Sequence, residues 1–480
     1  MTSLLVAAAL CSSSPSPQLT AAGLKTDLVV LEKTLDALHP GLNRYNTPSQ
    51  LKKSYVDFAN AWSKDQSQES AFLALSIFLA KIRCGHTYPN FYNQPDETAK
   101  ALFEGKNKVP FAFRWINGTM VVTEDQSPEK VFPRGSTITK INGVATSKIL
   151  KTLLSIARAD GSNDSKRTAL LEVTGADKFE TFDIYYPMFF DAKSAESRFE
   201  IRKPGIAKIE TVTASMIKTR PEKSAVENTD DKPFWALKYP SPNVAQLIMP
   251  NWAMYNTKWK WEDYLNGVMT EVIDKRIPNL VVDLRGNEGG NSVGDLIIPY
   301  LIKQSVKTES FQRFTKYRTV PQELRANLST WDKSFYEWGT SAKEDKNGFF
   351  KLTRFDDLMG NLIKPAAQHF DGQVFVIIGP ENSSATFEFA LQMKNLKLAT
   401  LVGRMTGGSQ RGINGGAFFF FTLPHSKIEL DIPIIAQFFP DKRPDTGVKP
   451  DIFVQPTPES IASGKDIELE TILRKVSIYK

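Results

Sequence analysis

Two adjacent serines, Ser383 and Ser384, stand where a run of apolar β-formers gives way to an amphipathic segment in VFVIIGPENSSATFEFAL, residues 374–391. At the carboxyl end of a strand in an α/β sheet, the following helix offers unpaired N–H groups, and a serine hydroxyl there lies near donors suited to an oxyanion. The chemistry that this arrangement would support is nucleophilic attack by serine. The plain alternative is a helix cap formed by Asn382, Ser383 or Ser384, and spacing alone favours the cap.

A second strand end favours the chemical interpretation. In NLVVDLRGNEGGNSVGDL, residues 279–296, a buried strand runs into a turn that contains Gly286, Gly289 and Gly290. Glycine lets the backbone approach a bound group closely and present N–H groups to it. The segment lacks the Gly-Lys-Ser/Thr of a phosphate loop and does not fit the Gly-x-Gly-x-x-Gly of a dinucleotide site. Two such strand ends in one sheet would form two sides of one site.

These segments carry a family resemblance. VVDLRGNEGG, VIIGPENSSATFEFAL and LATLVGRMTGG, in that order, resemble the tail-specific or C-terminal-processing protease family, which includes the tricorn core protease. CGHTYPNF is similar to that family's Asp-Gly-His-Thr segment, with Cys84 where aspartate is common. RGSTITKINGVATSKIL is similar to the second half of its PDZ-like module, and TGVKPDIFV is similar to its closing Gly-Val-x-Pro-Asp. The matches follow the family order over most of residues 25–455.

The resemblance implies a nucleophile and a base. The family's nucleophile precedes an alanine, at a fixed distance before the Val-Gly that ends the next strand, and this selects Ser384, followed by Ala385. One branch of the family has a lysine base in the loop after that strand, where this chain has Ser409. The tricorn-like branch uses an upstream histidine, and His86 stands in its place. An imidazole suits this role because its ordinary pKa already lies near neutral pH.

The resemblance also implies a third member and an oxyanion hole. The tricorn-like branch has a glutamate shortly before its closing motif, and Asp445 is the nearest acid here, displaced by one position. Because Asp445 lies in the turn-forming run RPDTG, it also suits a plain turn. The implied oxyanion donors are the N–H of Ala385 and one N–H from Gly289 or Gly290. Cys84 is not expected to be the nucleophile, since residues two apart seldom align as thiol and base.

The surrounding pattern predicts the elements that position these residues. Residues 24–80 place apolar residues three and four apart, which predicts helices. From about residue 108 to 215 short strands are predicted, and turns such as Asn117-Gly118 separate them. The predicted strands are VPFAFRWING, TMVVTED, TITKING and FETFDIYY. After a charged linker near 218–233, strands and helices alternate, which predicts a parallel sheet covered by helices.

The predicted fold class is an α/β core with a crotonase- or ClpP-like strand–helix sheet, a helical N-terminal domain and a β-rich, PDZ-like module. The predicted segments are a secretion signal or spacer (residues 1–20), the helical domain with the His86 turn (21–98), the β-rich module (99–222) and the α/β core (223–480). An aromatic insertion at about 308–360 is either a lid or groove wall, or ordinary half-buried packing.

Composition limits the partners. The formal charge of +7 over 480 residues is spread along the chain, so it does not predict nucleic-acid binding. An apolar stretch from Leu4 to Leu10, followed by a Ser/Pro spacer, predicts export to the periplasm or the medium. Cys11 would be the lipid anchor of a bacterial lipoprotein signal, although Leu10 stands where such signals carry a small residue. No other apolar run approaches the ~20 residues of a membrane span.

The sequence therefore predicts a periplasmic or secreted serine-type endopeptidase that acts on a peptide or protein substrate. The PDZ-like module would hold the C-terminal carboxylate of the substrate. No metal or cofactor is predicted, since the usual Cys/His ligand spacings do not occur. The leading alternative is a non-catalytic peptide-binding protein on the same scaffold, and another hydrolase or acyl-transfer activity is the third. No oligomeric state is predicted.

Overall fold

The computed structural model describes residues 18–478, except 176, 191, 222–229, 231, 256, 308–310, 346–347 and 356–361. The apolar stretch of the predicted export signal, together with Cys11, lies outside the described residues. Across the described ranges, none of the helices combines the length and the apolar character that a bilayer-spanning segment requires.

The N-terminal part is helical, as its apolar spacing predicts. Thr20, Thr47 and Ser67 each cap a helix by accepting a backbone N–H, and Thr47 forms a capping box with Gln50. The third helix ends at Arg83 in a left-handed conformation, with φ of 61°, which turns the chain into the His86 segment. The elements are β1 (Gln18–Leu19), α1 (Ala21–Leu38), α2 (Pro48–Ala61), β2 (Gln66–Ser67), α3 (Gln68–Ile82) and α4 (Asp96–Phe103).

An antiparallel sheet follows, with strand order β3-β4-β5-β7-β8 and β6 paired to β5. Asn117-Gly118 and Asn142-Gly143 have positive φ at both residues, and each forms a hairpin turn, the first of them at the turn predicted above. The elements are β3 (Phe111–Ile116), β4 (Thr119–Asp125), β5 (Thr137–Ile141), β6 (Val144–Ala145), α5 (Thr146–Leu153), α6 (Asp164–Ala169), α7 (Thr181–Phe189), β7 (Glu196–Arg202) and β8 (Glu210–Ser215).

The predicted strand FETFDIYY is wrong, because most of it lies in α7. Its aromatic residues have high β-propensity, but Phe182, Tyr185 and Tyr186 also fit one face of a helix. All three are buried, and the Tyr185 hydroxyl donates to the Ser76 hydroxyl of α3 at 2.9 Å. Packing against α3 and α5 therefore decides the conformation over local propensity.

The core is a six-stranded sheet whose strands, in spatial order, are β23 (Ile452–Phe453), β19 (Thr400–Gly403), β18 (Gln373–Ile378), β11 (Asn279–Asp283), β10 (Val244–Ile248) and β9 (Ala236–Ser241). Every neighbouring pair is parallel except β9 with β10, so the predicted strand–helix alternation is confirmed. In the order of the chain, the core begins with β9 (Ala236–Ser241), β10 (Val244–Ile248), α8 (Trp261–Asp274), β11 (Asn279–Asp283) and α9 (Gly294–Ile297).

The insertion that follows builds two small antiparallel sheets. One has the strand order β15-β16-β13-β22 and the other β14-β20-β21, in which β20 (Phe418–Thr422), β21 (Glu429–Pro433) and β22 (Ala436–Phe438) come from later in the chain. Strand β12 pairs with β17. Its strands are β12 (Val306–Lys307), β13 (Gln312–Thr315), β14 (Leu328–Ser329), β15 (Ala342–Glu344), β16 (Phe350–Leu352) and β17 (Leu362–Ile363). The remaining elements are β18 (Gln373–Ile378), α10 (Ser384–Asn395), β19 (Thr400–Gly403), β20 (Phe418–Thr422), β21 (Glu429–Pro433), β22 (Ala436–Phe438), β23 (Ile452–Phe453), α11 (Pro458–Ser463) and α12 (Ile467–Ile478).

Two strand ends of the core sheet lie side by side. In the parallel pairing of β11 with β18, Asp283 is opposite Ile377, so the glycine-rich turn and the serine segment leave the same edge. This is the edge at which α/β proteins bind ligands.

Candidate active site

The serine segment forms a strained bend between β18 and α10. Ser384 is the first residue of α10 and has a left-handed φ of 50°, a conformation that costs a non-glycine residue about 1–2 kcal/mol. The N-cap residue is Ser383, and its side chain makes no capping hydrogen bond. Instead, the Ser383 hydroxyl donates to the Glu288 carbonyl at 3.1 Å. The cap interpretation therefore does not account for these serines.

Buried amide groups hold the bend against the glycine-rich turn. Asn382 is fully buried, and its Nδ2 donates to the carbonyls of Leu284 at 2.6 Å and Asn287 at 3.0 Å. Thr386 Oγ1 donates to the same Asn287 carbonyl at 3.1 Å. Because the surroundings fix the bend in this way, they can maintain the strain at Ser384.

Two glycines of the turn, Gly289 and Gly290, are required by close contacts. A Cβ on Gly289, whose φ is 105°, would lie 2.7 Å from the Ser383 carbonyl oxygen and 3.0 Å from the Ala385 nitrogen. A Cβ on Gly290, whose φ is 136°, would lie 2.4 Å from the Trp252 backbone. Gly289 therefore packs directly on the bend that carries Ser384.

The backbone N–H groups of this region differ in what they contact. The Gly289 N–H already donates to Asn287 Oδ1 at 2.9 Å. Among the described residues, no hydrogen bond is recorded for the N–H of Gly290 or of Ala385. Of the three predicted oxyanion donors, Gly290 and Ala385 are thus the two whose N–H groups have no partner among the described residues.

His86 lies in the turn after α3 and is half-buried. Its ring centroid is 5.7 Å from that of Phe418, and its Nδ1 is enclosed without a hydrogen-bond partner among the described residues. Burial lowers the pKa of His86; the Asp160 carboxylate opposes this, whereas the nearby cation of Arg158 lowers the pKa further. The imidazole is therefore neutral at neutral pH, which is the state a general base needs.

Three side chains that the sequence analysis missed contact either the His86 turn or the serine bend. Asp160 Oδ1 accepts the Gly85 N–H at 2.9 Å, and Arg158 Nε donates to the Gly85 carbonyl, also at 2.9 Å. Lys166 Nζ donates to Glu288 Oε1 at 2.9 Å and to the Glu381 carbonyl at 3.1 Å. They belong to IARADGSNDSKR, residues 156–167, which has no spacing typical of a catalytic motif.

Glu288 is the residue at which the contacts of Arg158 and Lys166 meet. It precedes Gly289, pairs with Lys166, and lies 3.8 Å from the Arg158 guanidinium. The packed surroundings raise the pKa of Glu288 although its side chain is 49% exposed, but the charges of Lys166 and Arg158 more than offset this, so the pKa lies below its ordinary value. Glu288 is therefore a carboxylate whose charge acts on His86, while its backbone holds Ser383.

Asp445 lies among other partners. Its Oδ1 accepts the Ser162 N–H at 3.1 Å and the Ser409 hydroxyl at 3.3 Å. Within the described part of the chain Asp445 makes no hydrogen bond to His86, and Asp160 is the acid with the largest electrostatic effect on that imidazole. Nor is a hydrogen bond recorded between His86 and Ser384 among the described residues.

Cys84 is packed rather than reactive. It is 2% exposed, and Asn414 Nδ2 contacts its sulfur at 3.3 Å. Burial raises the pKa of the Cys84 thiol to about 11, so little thiolate exists at neutral pH. In the part of the chain that the structure describes, no group of three or more His, Cys, Asp or Glu side chains is arranged to hold a metal ion.

Comparisons with known proteins agree with this architecture. Residues 243–454 match the model of Peptidase family S41. Among solved structures, mature CPAF complexed with lactacystin is 13% identical with a TM-score of 0.64, and the alignment covers 95% of this chain and 98% of that chain. Mature CPAF is 12% identical with a TM-score of 0.60, covering 92% and 94%. At these identities the likeness concerns the fold. No curated protein matches this chain.

Proposed function

Because the chain carries a Peptidase family S41 domain at residues 243–454, we propose that it is a serine-type peptidase that hydrolyses peptide bonds through an acyl-enzyme on Ser384. The observation that carries the proposal is the conformation of Ser384. A non-glycine residue with φ of 50° at a helix N-terminus is costly, and the preceding N-cap residue, Ser383, makes no side-chain capping hydrogen bond that would offset the cost. Such strain is typical of functional sites.

In the proposed mechanism, His86 is the general base. Since its Nδ1 is enclosed, Nε2 accepts the Ser384 proton while the serine oxygen attacks the substrate carbonyl. The N–H groups of Gly290 and Ala385 hold the resulting oxyanion, a contribution worth about 3 kcal/mol for each donor in comparable enzymes. His86 then gives the proton to the departing amine, and water, activated by the same imidazole, releases the acyl group from Ser384.

The roles of the acids follow from their contacts. Asp445 is kept as the candidate third member that the family resemblance implies, and through Ser162 it holds the segment that contains Asp160. Asp160 is proposed as a positioning residue, because it fixes the Gly85 N–H beside His86 and has the largest electrostatic effect of any acid on that imidazole. The tricorn-like use of histidine is favoured over a lysine base because Ser409 occupies the lysine position.

Two further features belong to the same proposal. The sheet formed by β3 to β8 is proposed to act as a PDZ-like module that holds the C-terminal carboxylate of the substrate. The protein is proposed to be exported to the periplasm or secreted, with a peptide or protein as its substrate.

The second candidate is a non-catalytic peptide-binding protein on the same scaffold. It is favoured by the absence, among the described residues, of a recorded hydrogen bond from His86 to Ser384 or Asp445. The two functions differ in one chemical property, since only the peptidase has an activated serine.

Labelling with a fluorophosphonate probe tests the proposal. The wild type should be labelled and should cleave a denatured protein substrate, whereas Ser384→Ala should do neither. Ser383→Ala is the matched control, because it removes the neighbouring hydroxyl and should keep both activities in large part. A folded wild type that binds peptides but takes up no label would instead establish the binding protein.

A further inference from the structure

Three aromatic side chains form an exposed surface beside His86. Trp331, from the insertion, is 59% exposed, and its ring centroid lies 6.0 Å from that of Phe418 and 5.9 Å from that of Phe420. The Phe418 ring is in turn 5.7 Å from the His86 imidazole. We call Trp331, Phe418 and Phe420 the aromatic ledge. It begins at the proposed base and extends to the solvent-exposed tryptophan.

Core packing does not account for the ledge. Strand β20 reads FFFFT, and Phe419 and Phe421 are fully buried, while Phe418 and Phe420 lie on the opposite, half-exposed face. An antiparallel sheet with one solvated face normally has polar residues on that face. A contiguous exposed apolar surface is instead typical of a contact site for a ligand or another chain.

The ledge is held in place by ordered contacts. Trp331 packs edge-on against the buried ring of Phe335, with 5.5 Å between the centroids. Asp332 accepts the Ser334 N–H at 2.8 Å and forms an ion pair with Arg354 at 3.1 Å. Because the turn that carries the indole is already ordered, little conformational entropy is lost when a ligand contacts it.

We propose that the aromatic ledge is a substrate subsite that binds an aromatic or large aliphatic side chain of the peptide near the cleaved bond. The inference rests on the proposed function, because the contact of Phe418 with His86 is what puts the ledge at the reaction site. Aromatic rings offer offset and edge-on contacts to an apolar side chain and no partner for a buried charge. The insertion is thus a groove wall that selects the substrate.

A peptide series tests the subsite. Internally quenched peptides are identical except for a single Phe placed at each position in turn, with Ala, Asp and Lys series for comparison. In the wild type, one position should show kcat/KM about tenfold higher with Phe than with Ala. Trp331→Ala should reduce this ratio to within about twofold. Trp331→Phe should keep most of it, and Trp331→Glu should favour Lys over Phe at that position.

Controls separate the subsite from the catalytic proposal. Phe453→Ala removes an aromatic ring that is 68% exposed at the edge of the core sheet and should leave the Phe preference unchanged. Fluorophosphonate labelling of Trp331→Ala at the wild-type rate shows that this variant is folded and that its serine is intact. A labelled wild type without the Phe preference, or a preference that survives in Trp331→Ala and Trp331→Glu, overturns the subsite alone. A wild type that neither labels nor cleaves overturns the proposed function and the subsite with it.

Discussion

The ion pair between Lys166 and Glu288 joins helix α6 to the glycine-rich turn, beside the serine bend, and its two ends lie in different surroundings. Lys166 Nζ is 2.9 Å from Glu288 Oε1, and the lysine side chain is 6% exposed, whereas that of Glu288 is 49% exposed. Removing either partner therefore leaves the other in a different state. Glu288→Gln leaves a nearly buried ammonium, while Lys166→Met leaves a carboxylate that water can reach.

This difference sets the expected magnitudes. Breaking a fully buried pair costs about 3–5 kcal/mol, because a charge remains without its partner. Lys166 keeps a backbone carbonyl acceptor in Glu288→Gln, so we expect a loss of about 2–3 kcal/mol in the free energy of unfolding. Lys166→Met removes a donor from that carbonyl but retains the apolar stem, so we expect about 1–2 kcal/mol. The double variant should give a coupling energy of about 1 kcal/mol.

Urea unfolding of the wild type, the two single variants and the double variant measures these quantities. The exposed pair Lys53–Asp57, at 2.8 Å with side-chain exposures of 74% and 41%, is the control. Its coupling should lie within about 0.5 kcal/mol of zero. The reasoning is refuted if Lys166→Met costs more than Glu288→Gln, or if the coupling of the Lys166 pair does not exceed that of the control.

Three further predictions concern the glycine-rich turn and two histidines. Gly289→Ala should lower kcat by at least about 100-fold, because its Cβ would meet the serine bend. Gly286→Ala shares the strain of a positive φ, 80°, but its Cβ would meet no atom of the described residues within 4 Å, so it should retain most activity; equal losses would contradict this. Burial lowers the pKa of His86, so activity should persist below pH ~6.5. Asp160→Asn removes a charge that raises this pKa, so it should shift the acid limb of the kcat/KM profile to lower pH; a shift to higher pH would contradict this. Burial lowers the pKa of His39 to about 3. Since an unfolded histidine titrates near ~6.5, the unfolded state takes up the proton first as the pH is lowered. The urea concentration at the unfolding midpoint should therefore be lower at pH 5 than at pH 7, and the difference should be smaller in His39→Gln.

The parts of the fold that depend on local pattern could be predicted from the sequence. The buried run at 279–283 and the run at 373–378 are strands of one parallel sheet, and Asn117-Gly118 forms a hairpin turn, because each is determined by residues close in sequence. The segment FETFDIYY was mispredicted because its period fits a helix while its composition fits a strand. Contacts with α3 and α5 resolve that ambiguity, and no local signal contains them.

The candidate site was predictable only where a motif marks it. Ser384 and the glycines follow buried strands and match a family pattern, so they could be selected from sequence. Arg158, Asp160 and Lys166 act across 73 to 215 residues of chain on the His86 turn and the serine bend. Their residue types are common at surfaces, and only the folded chain shows that Arg158 and Lys166 meet at Glu288 while Asp160 holds the His86 turn.

The site at which a fluorophosphonate attaches is the most direct test of the central claim, that Ser384 is an activated nucleophile. Peptide mapping by mass spectrometry of the labelled wild type should find one adduct per chain, on Ser384, and His86→Ala should slow its formation by at least about 100-fold. An adduct on Ser383 or Cys84, or a folded protein that takes up no label, would contradict the account.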